Sequence, residues 1–236
     1  GIQSDELSAA KQNSSATTDC QLLTAIDDNK DQTYFLYRVT EDALRHTLFP
    51  LGDMKKPQVR EEAKKRGLVT ANKKESMGIC FVGKVGIKEF LSQYVETEPG
   101  DIVDQNGVKI GTHDGAIFYT IGQRHGLDVG GGLPYYVTGK NMQKNEVYVT
   151  SDLNDERLWS SEISLEACHW INGSPTIGEK YYVRTRHRAK LIPCVVTGLD
   201  GTKATLQLDE QIRALTPGQS AVVYDEEACL GGGIIV

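Results

Sequence analysis

The feature that most constrains the fold of this chain is a regular series of short β-prone runs in its last third. Apolar and β-branched residues gather at residues 163–170, 180–185, 192–198, 204–208, 220–224 and 229–236. The pairs Asn172-Gly173, Asp200-Gly201 and Pro217-Gly218 lie between runs, and such pairs favour turns. Short strands at regular spacing predict a small antiparallel β barrel, which we expect over residues 159–236.

A second group of β-prone runs precedes the barrel. The runs at 101–104 and 108–111 flank Asn106-Gly107, a typical hairpin turn. Further strands are predicted at 117–121, 135–140 and 146–150, and one short helix at 87–94. We expect a small central β domain over residues 83–158.

The first third of the chain has a helical pattern. Residues 1–20 are polar and aperiodic, whereas residues 22–81 are interpreted as mainly helical. One helix is predicted over 57–66, with Pro57 in its first turn and Gly67 ending it. The predicted fold class is therefore α+β and mostly β, with an α-rich segment over residues 1–82 that is too short to be a complete enzyme domain.

The absence of several sequence patterns argues against a membrane protein, a secreted protein and a metal site. No run reaches the 18 apolar residues typical of a membrane helix, and the N-terminus has no signal-peptide pattern. The five cysteines are widely and irregularly spaced, which favours neither disulfides nor zinc and predicts a reducing, cytoplasmic location. The histidines show no ligand spacing, so no metal site is expected. No phosphate-binding glycine loop occurs in the sequence.

The sequence allows two roles for the thiol of Cys80. It follows Gly78-Ile79 near Lys73 and Lys74, at the boundary between the α-rich segment and the central domain. Nearby cations lower a thiol pKa, and domain boundaries form clefts, so Cys80 is a candidate nucleophile. The alternative is a buried structural thiol, as we expect for Cys168, Cys194 and Cys229 inside predicted strands.

A basic run interrupts the overall net charge of −6. In an extended strand, Arg184, Arg186, Arg188 and Lys190 would project from the same face, because side chains alternate. Such a face requires an anionic partner, either a phosphate backbone or carboxylates of the protein itself. The sequence alone leaves both alternatives open.

Six segments, in the same order and spacing, resemble the tRNA-specific 2-thiouridylases. They are residues 30–36 (KDQTYFL), 48–52 (LFPLG), 74–81 (KESMGICF), 119–124 (YTIGQR), 216–220 (TPGQS) and 230–235 (LGGGII). The resemblance implies that the first 82 residues are the remnant of an α/β nucleotide-binding domain. It also implies thiolation of the wobble uridine (position 34) of tRNA, after ATP with Mg has activated the uridine oxygen.

The resemblance assigns roles to individual residues. Cys80 matches the cysteine that carries a persulfide, supplied by a sulfur-donor protein. The tRNA-contacting positions are matched by Lys30, Asp31, Gln32, Arg186, His187 and Gln219. His187 stands where the family has a tyrosine, and the neighbouring Arg184, Arg188 and Lys190 are further candidates for tRNA contact.

The family's ATP loop and its second catalytic cysteine, the transient disulfide partner of Cys80, are absent from these residues. The chain alone is therefore expected to be inactive and to bind no ATP; we expect a monomer that binds tRNA. Two rival functions are a non-catalytic tRNA-binding module and a tRNA methyltransferase. The sequence contains no glycine-rich methyl-donor fingerprint after a predicted strand.

Overall fold

The computed structural model describes residues 20–73, 93–127, 129–130, 132 and 134–236. The α-helices are α1 (Thr33–Leu36), α2 (Glu41–Arg45) and α3 (Lys56–Lys65), and two 3-10 turns cover Ala116–Phe118 and Glu156–Leu158. The strands are β1 (Leu22–Leu23), β2 (Gly100–Val103), β3 (Lys109–His113), β4 (Tyr136–Asn141), β5 (Glu146–Thr150), β6 (Trp159–Trp170), β7 (Lys180–Arg184), β8 (Ile192–Asp200), β9 (Lys203–Arg213), β10 (Ser220–Asp225) and β11 (Ala228–Ile235). The α+β, mostly β prediction is confirmed.

Strands β6 to β11 close into the predicted six-stranded antiparallel barrel. Their order is β11-β10-β7-β8-β9-β6, and pairing of β11 with β6 closes the ring. Alternate residues point inward, so Ile163, Val183, Val196, Leu206 and Val223 fill the interior without solvent exposure.

Glycines in β11 let the strands on both sides of it approach closely. A Cβ on Gly231 would overlap the His169 carbonyl oxygen of β6, and one on Gly232 would overlap the Ala221 carbonyl oxygen of β10. Neighbouring backbones thus occupy the space that a side chain would need. The segment 230–235 is glycine-rich because the barrel closes there.

The central sheet has the order β3-β2-β5-β4, with β2 and β5 parallel and the other pairs antiparallel. The predicted hairpin at Asn106-Gly107 is confirmed, and Gly107 has a φ of 78°. The strand predicted at 117–121 is wrong. Ala116–Phe118 is a 3-10 turn that buries Ala116 and Tyr119 on one side, three residues apart as that geometry requires.

The leading segment, residues 20–47, packs on the outside of the barrel. The helical interpretation is wrong at its start, because Leu22 and Leu23 pair with Cys229 and Ala228 of β11. A second apolar cluster joins this segment to the outer face of the barrel; its buried members are Leu22, Tyr34, Tyr37, Leu44, Ile171, Val222, Tyr224 and Cys229. Strand β10 is consequently buried on both faces.

The predicted helix 57–66 is confirmed as α3, which starts one residue earlier and ends one residue earlier. Pro57 occupies its second position, and Gly67 follows it with a φ of 67°. Of the helix predicted at 87–94, only Gln93 and Tyr94 lie within the described residues, where they form a turn. No helix in the described part of the chain is long and apolar enough to cross a membrane.

Candidate nucleic-acid interface

The four cations of the basic run do not share a strand face, so that prediction is wrong. Strand β7 ends at Arg184, and residues 185–188 turn, with Arg188 at a φ of 64°. The turn allows Arg186 and Arg188 to reach carbonyl oxygens on other segments. Arg186 Nη2 donates to the Ala214 carbonyl (2.8 Å), and Arg188 Nη2 donates to the Asn29 carbonyl (2.8 Å).

The other two cations have carboxylate partners. Lys190 Nζ lies 2.9 Å from Glu210 Oε1 in an exposed pair, and Arg184 Nη1 lies 3.1 Å from Asp31 Oδ2 in a buried one. The carboxylate alternative is therefore correct for Arg184 and Lys190. Arg186 and Arg188 have neutral partners, so their positive charges remain available to an external anion.

Asp31 is the buried centre of the segment 30–36. Its carboxylate accepts hydrogen bonds from Thr33 N (3.2 Å) and Thr33 Oγ1 (2.8 Å) as well as from Arg184. The guanidinium of Arg184 also lies over the Tyr224 ring, 5.4 Å from its centroid. Asp31 is only 2% exposed, so in this structure it positions its neighbours rather than presenting its own carboxylate. Lys30 is half-buried and Gln32 is exposed on either side of it.

Three rings lie together where α1 meets the turn after β7. The ring centroid of His187 is 4.7 Å from that of Phe35 and 6.2 Å from that of Tyr34. Tyr34 Oη donates to the Ser220 carbonyl (2.9 Å), which anchors the cluster on the barrel. Burial, then the nearby Arg188 and Arg184, lower the pKa of His187, so its imidazole is neutral at pH 7.

A cleft of about 250 Å³ separates the central sheet from the barrel. The residues that line it are Thr120, Ile121, Gly122, Gln123, Arg186, Thr216 and Gln219. Arg186 is held there by hydrogen bonds to the Ala214 carbonyl and to Thr216 Oγ1 (3.2 Å). The cleft thus brings the segments 119–124 and 216–220 together with Arg186, and Gln219 is exposed at its edge.

The segment 119–124 forms the central-sheet wall of this cleft. Gln123 Oε1 accepts from Thr120 N (3.0 Å), and Gln123 Nε2 donates to the His125 carbonyl (2.8 Å). Gly122 N donates to the Val137 carbonyl (2.7 Å), and a Cβ on Gly122 would overlap the Cβ of Ala214 in the barrel. These contacts make residues 119–124 a close-fitting support between the two sheets.

A second cleft, of about 360 Å³, lies on the other side of the basic run and is lined by Asp28, Asn29, Arg184, Arg188, Ala189, Lys190 and Leu191. Asp28 and the partners Asp31 and Glu210 offset much of the positive charge near it. The first cleft, which has Arg186 and no acidic lining residue, is therefore the better site for an anion.

Cys80, the predicted sulfur carrier, lies outside the described residues. Cys20, Cys168, Cys194 and Cys229 are free thiols. Burial raises the pKa of Cys168 to about 11 and those of Cys194 and Cys229 to about 12, so these three remain protonated near neutral pH. This agrees with the structural roles expected for them. Among the described residues, no group of three or more His, Cys, Asp or Glu side chains could hold a metal ion.

Sequence reasoning did not single out Thr33, Tyr34, Phe35 or Tyr224, which surround the predicted contact residues. Three of these four lie inside the segment 30–36, so the family motif indicated this part of the interface without identifying the residues. Their contacts with the barrel come from residues more than 150 positions away, and no local pattern encodes such pairings.

Comparison with known families gives three consecutive matches. Residues 8–84 match a model described as tRNA methyl transferase HUP domain, and residues 88–151 match tRNA methyl transferase PRC-barrel domain. Residues 160–235 match Aminomethyltransferase beta-barrel domain. Together these models cover most of the chain.

Curated relatives carry the name tRNA-specific 2-thiouridylase MnmA. The protein from Klebsiella pneumoniae subsp. pneumoniae is 44% identical over 221 residues, covering 91% of this chain and 60% of the relative. The one from Shewanella oneidensis is 43% identical over 231 residues, with 95% and 62% covered, and one from Escherichia coli O1:K1 / APEC is 43% identical over 221 residues. The chain spans about 60% of the length of the relatives it matches. On these matches and the six shared segments, the chain belongs to the family of tRNA-specific 2-thiouridylases.

Proposed function

We propose that this chain is the tRNA-binding and sulfur-carrying part of a tRNA-uridine 2-sulfurtransferase. The observation that carries the proposal is the convergence of three distant segments on the barrel. Tyr34 contacts Ser220, Asp31 pairs with Arg184, and Arg186 bonds Thr216. All three contacts join residues that match, or lie beside, family positions for tRNA contact. The names of the relatives support the same substrate.

In the proposed reaction, Cys80 carries a persulfide whose terminal sulfur bonds to C2 of the wobble uridine. The uridine oxygen O2, activated by ATP as a phosphate ester, leaves with AMP and its bonding electrons. A second cysteine, in the part of the relatives that this chain does not span, attacks Cys80 Sγ. The S–S bond of the persulfide breaks, its outer sulfur keeps the electron pair and stays on C2, and the two cysteines form a disulfide. A persulfide suits this step because it is a strong nucleophile.

The tRNA is proposed to lie across the cleft between the central sheet and the barrel. Arg186 and Gln219 contact it there, and Lys30, Gln32 and His187 contact it at the leading segment. Arg188 supplies a further charge, because its partner is a neutral carbonyl. Arg184, Asp31 and Lys190 have internal partners and act by holding these segments in place.

Three further features complete the proposal. The chain divides at residues 82 and 158 into a nucleotide-binding remnant, a central β domain and the barrel. The full-length enzyme is a cytoplasmic monomer that binds ATP with Mg. It receives its sulfur from a persulfide-bearing donor protein.

Mass spectrometry of the full-length enzyme tests the catalytic proposal. After incubation with a persulfide donor, the wild-type protein should gain one sulfur that is lost on reduction. Cys80→Ala should abolish this gain, whereas the matched variant Cys168→Ala should keep it. Retention of the sulfur in Cys80→Ala would reject Cys80 as the carrier.

The descriptions of two matched family models favour a tRNA methyltransferase as a second candidate. Isothermal titration with S-adenosylmethionine separates the two functions, since only a methyltransferase should bind this donor. A non-catalytic tRNA-binding module is the other alternative. It predicts that Cys80 does not react with iodoacetamide in the full-length protein, whereas a sulfur carrier should react.

A further inference from the structure

Phe35 is an exposed aromatic side chain in a segment that is otherwise docked on the barrel. It is 59% exposed, while its neighbour Tyr34 is 7% exposed. The helix α1 turns Tyr34 toward the barrel and Phe35 toward solvent. More than half of this apolar ring is therefore open to a ligand.

Contacts on one side hold the Phe35 ring in place. It lies 4.7 Å from the His187 ring, with 40° between the ring planes, and 5.3 Å from the Tyr34 ring in an edge arrangement. Tyr34 is itself fixed by its hydrogen bond to the Ser220 carbonyl. The three rings form a preordered cluster. Binding of a ligand over Phe35 therefore costs the protein little side-chain entropy.

The surroundings of the cluster fit a polyanion that carries flat, unpaired bases. The exposed Arg186 and Arg188 flank His187 in the chain, and the exposed amide of Gln32 precedes α1. The partners of Arg186 and Arg188 are neutral oxygens, so neither charge is cancelled by a direct carboxylate contact. Aromatic rings beside cations are the usual arrangement in protein sites that bind single-stranded RNA.

We propose that Phe35, backed by His187, is a platform on which an unpaired base of the RNA stacks. This rests on the proposed tRNA-binding function and adds a residue that the family resemblance does not assign. Phe35 is a binding residue rather than a catalytic one. It acts together with Arg186 and Arg188, which hold the phosphates on either side of the stacked base.

The test compares two phenylalanines of similar exposure in the full-length protein. Phe35→Leu keeps an apolar side chain but removes the aromatic face. Phe49→Leu makes the same change at a ring that is 50% exposed and lies outside α1. The probes are an RNA stem–loop with an unpaired loop and a blunt duplex with the sequence of the stem. Binding is measured over a range of salt concentrations.

Phe35→Leu should weaken binding of the stem–loop at least about 5-fold and leave binding of the duplex unchanged, because only an unpaired base stacks. The salt dependence should stay at the wild-type slope, since no phosphate contact is lost. Phe35→Trp should restore the affinity, and Phe49→Leu should bind both probes as the wild type does.

Equal affinity of Phe35→Leu and wild type for the stem–loop would overturn the proposal that a base stacks on Phe35. If that variant also lowers Tm, the ring is covered by another part of the full-length protein rather than by RNA. Failure of the wild-type protein to bind the stem–loop at all is a different result, which would reject the proposed tRNA-binding function itself.

Discussion

Arg184 and Asp31 form a buried ion pair between residues 153 positions apart, with 3.1 Å between Nη1 and Oδ2. Their side chains are only 11% and 3% exposed. The pair ties the leading segment, which carries the predicted tRNA contacts Lys30 and Gln32, to strand β7. Loss of either partner would leave the other charge buried without compensation.

Arg184→Met should therefore destabilise the protein by about 3 kcal/mol, within the range for breaking a buried ion pair. Chemical denaturation measures the change in free energy of unfolding. The control is Lys190→Met, which removes the exposed pair with Glu210 and should cost less than about 1 kcal/mol. Equal losses in the two variants would contradict a special role for the buried pair.

Arg186→Ala should weaken tRNA binding and reduce the slope of log affinity against log salt concentration by about one, as expected for one lost phosphate contact. Filter binding at several salt concentrations gives this slope. Lys203→Ala serves as the control, because Lys203 pairs with Glu166 and lines neither cleft. An unchanged slope for Arg186→Ala would restrict Arg186 to its hydrogen bonds with Ala214 and Thr216.

Gly122→Ala should destabilise the junction between the central sheet and the barrel by about 1–3 kcal/mol, since the new methyl group overlaps Ala214. Gly126→Ala is a matched control: its φ of 78° equals that of Gly122 within a degree, but its nearest neighbour is 3.7 Å away. Gly126→Ala should lose only the stability that an alanine at a positive φ costs. Adding Ala214→Gly to Gly122→Ala should recover stability, and thermal unfolding would show whether it does.

Iodoacetamide at pH 8 should modify Cys80 well before Cys194 and Cys229 in the native full-length protein. Burial raises the pKa of the last two to about 12, so almost no thiolate exists at pH 8 and the reactive fraction grows only as the pH rises toward that value. Peptide mapping after short labelling times gives the order of modification. In urea all three should react at similar rates, which separates burial from intrinsic reactivity.

The strands were largely predictable from sequence because short β-prone runs are separated by turn residues. In β8 and β9 the buried positions also alternate, whereas β10 is buried on both faces. Glu146–Thr150 was predicted to the residue, and β8 and β10 began where their apolar runs began. The exception at 117–121 has a local cause: three-residue spacing buries Ala116 and Tyr119, and a short apolar run does not distinguish that spacing from a strand.

The candidate site was less predictable, because its geometry depends on distant partners. The sequence predicts that Arg184, Arg186, Arg188 and Lys190 need an anionic partner. It could not show that Asp31 and Glu210 supply one for Arg184 and Lys190 only. Nor could it show that β7 ends at Arg184. The family motifs indicated where the candidate interface lies. Only the fold shows which of its residues hold the segments in place and which are open to a ligand.

The double burial of β10 has a consequence for how this protein can be recombined. Val222 and Tyr224 face the leading segment and are fully buried, although about 180 residues of chain separate the two elements. A barrel excised at residue 159 would expose this apolar stripe and become prone to self-association. Chimeras between relatives should therefore exchange residues 20–47 together with the barrel, so that this apolar cluster keeps its native partners.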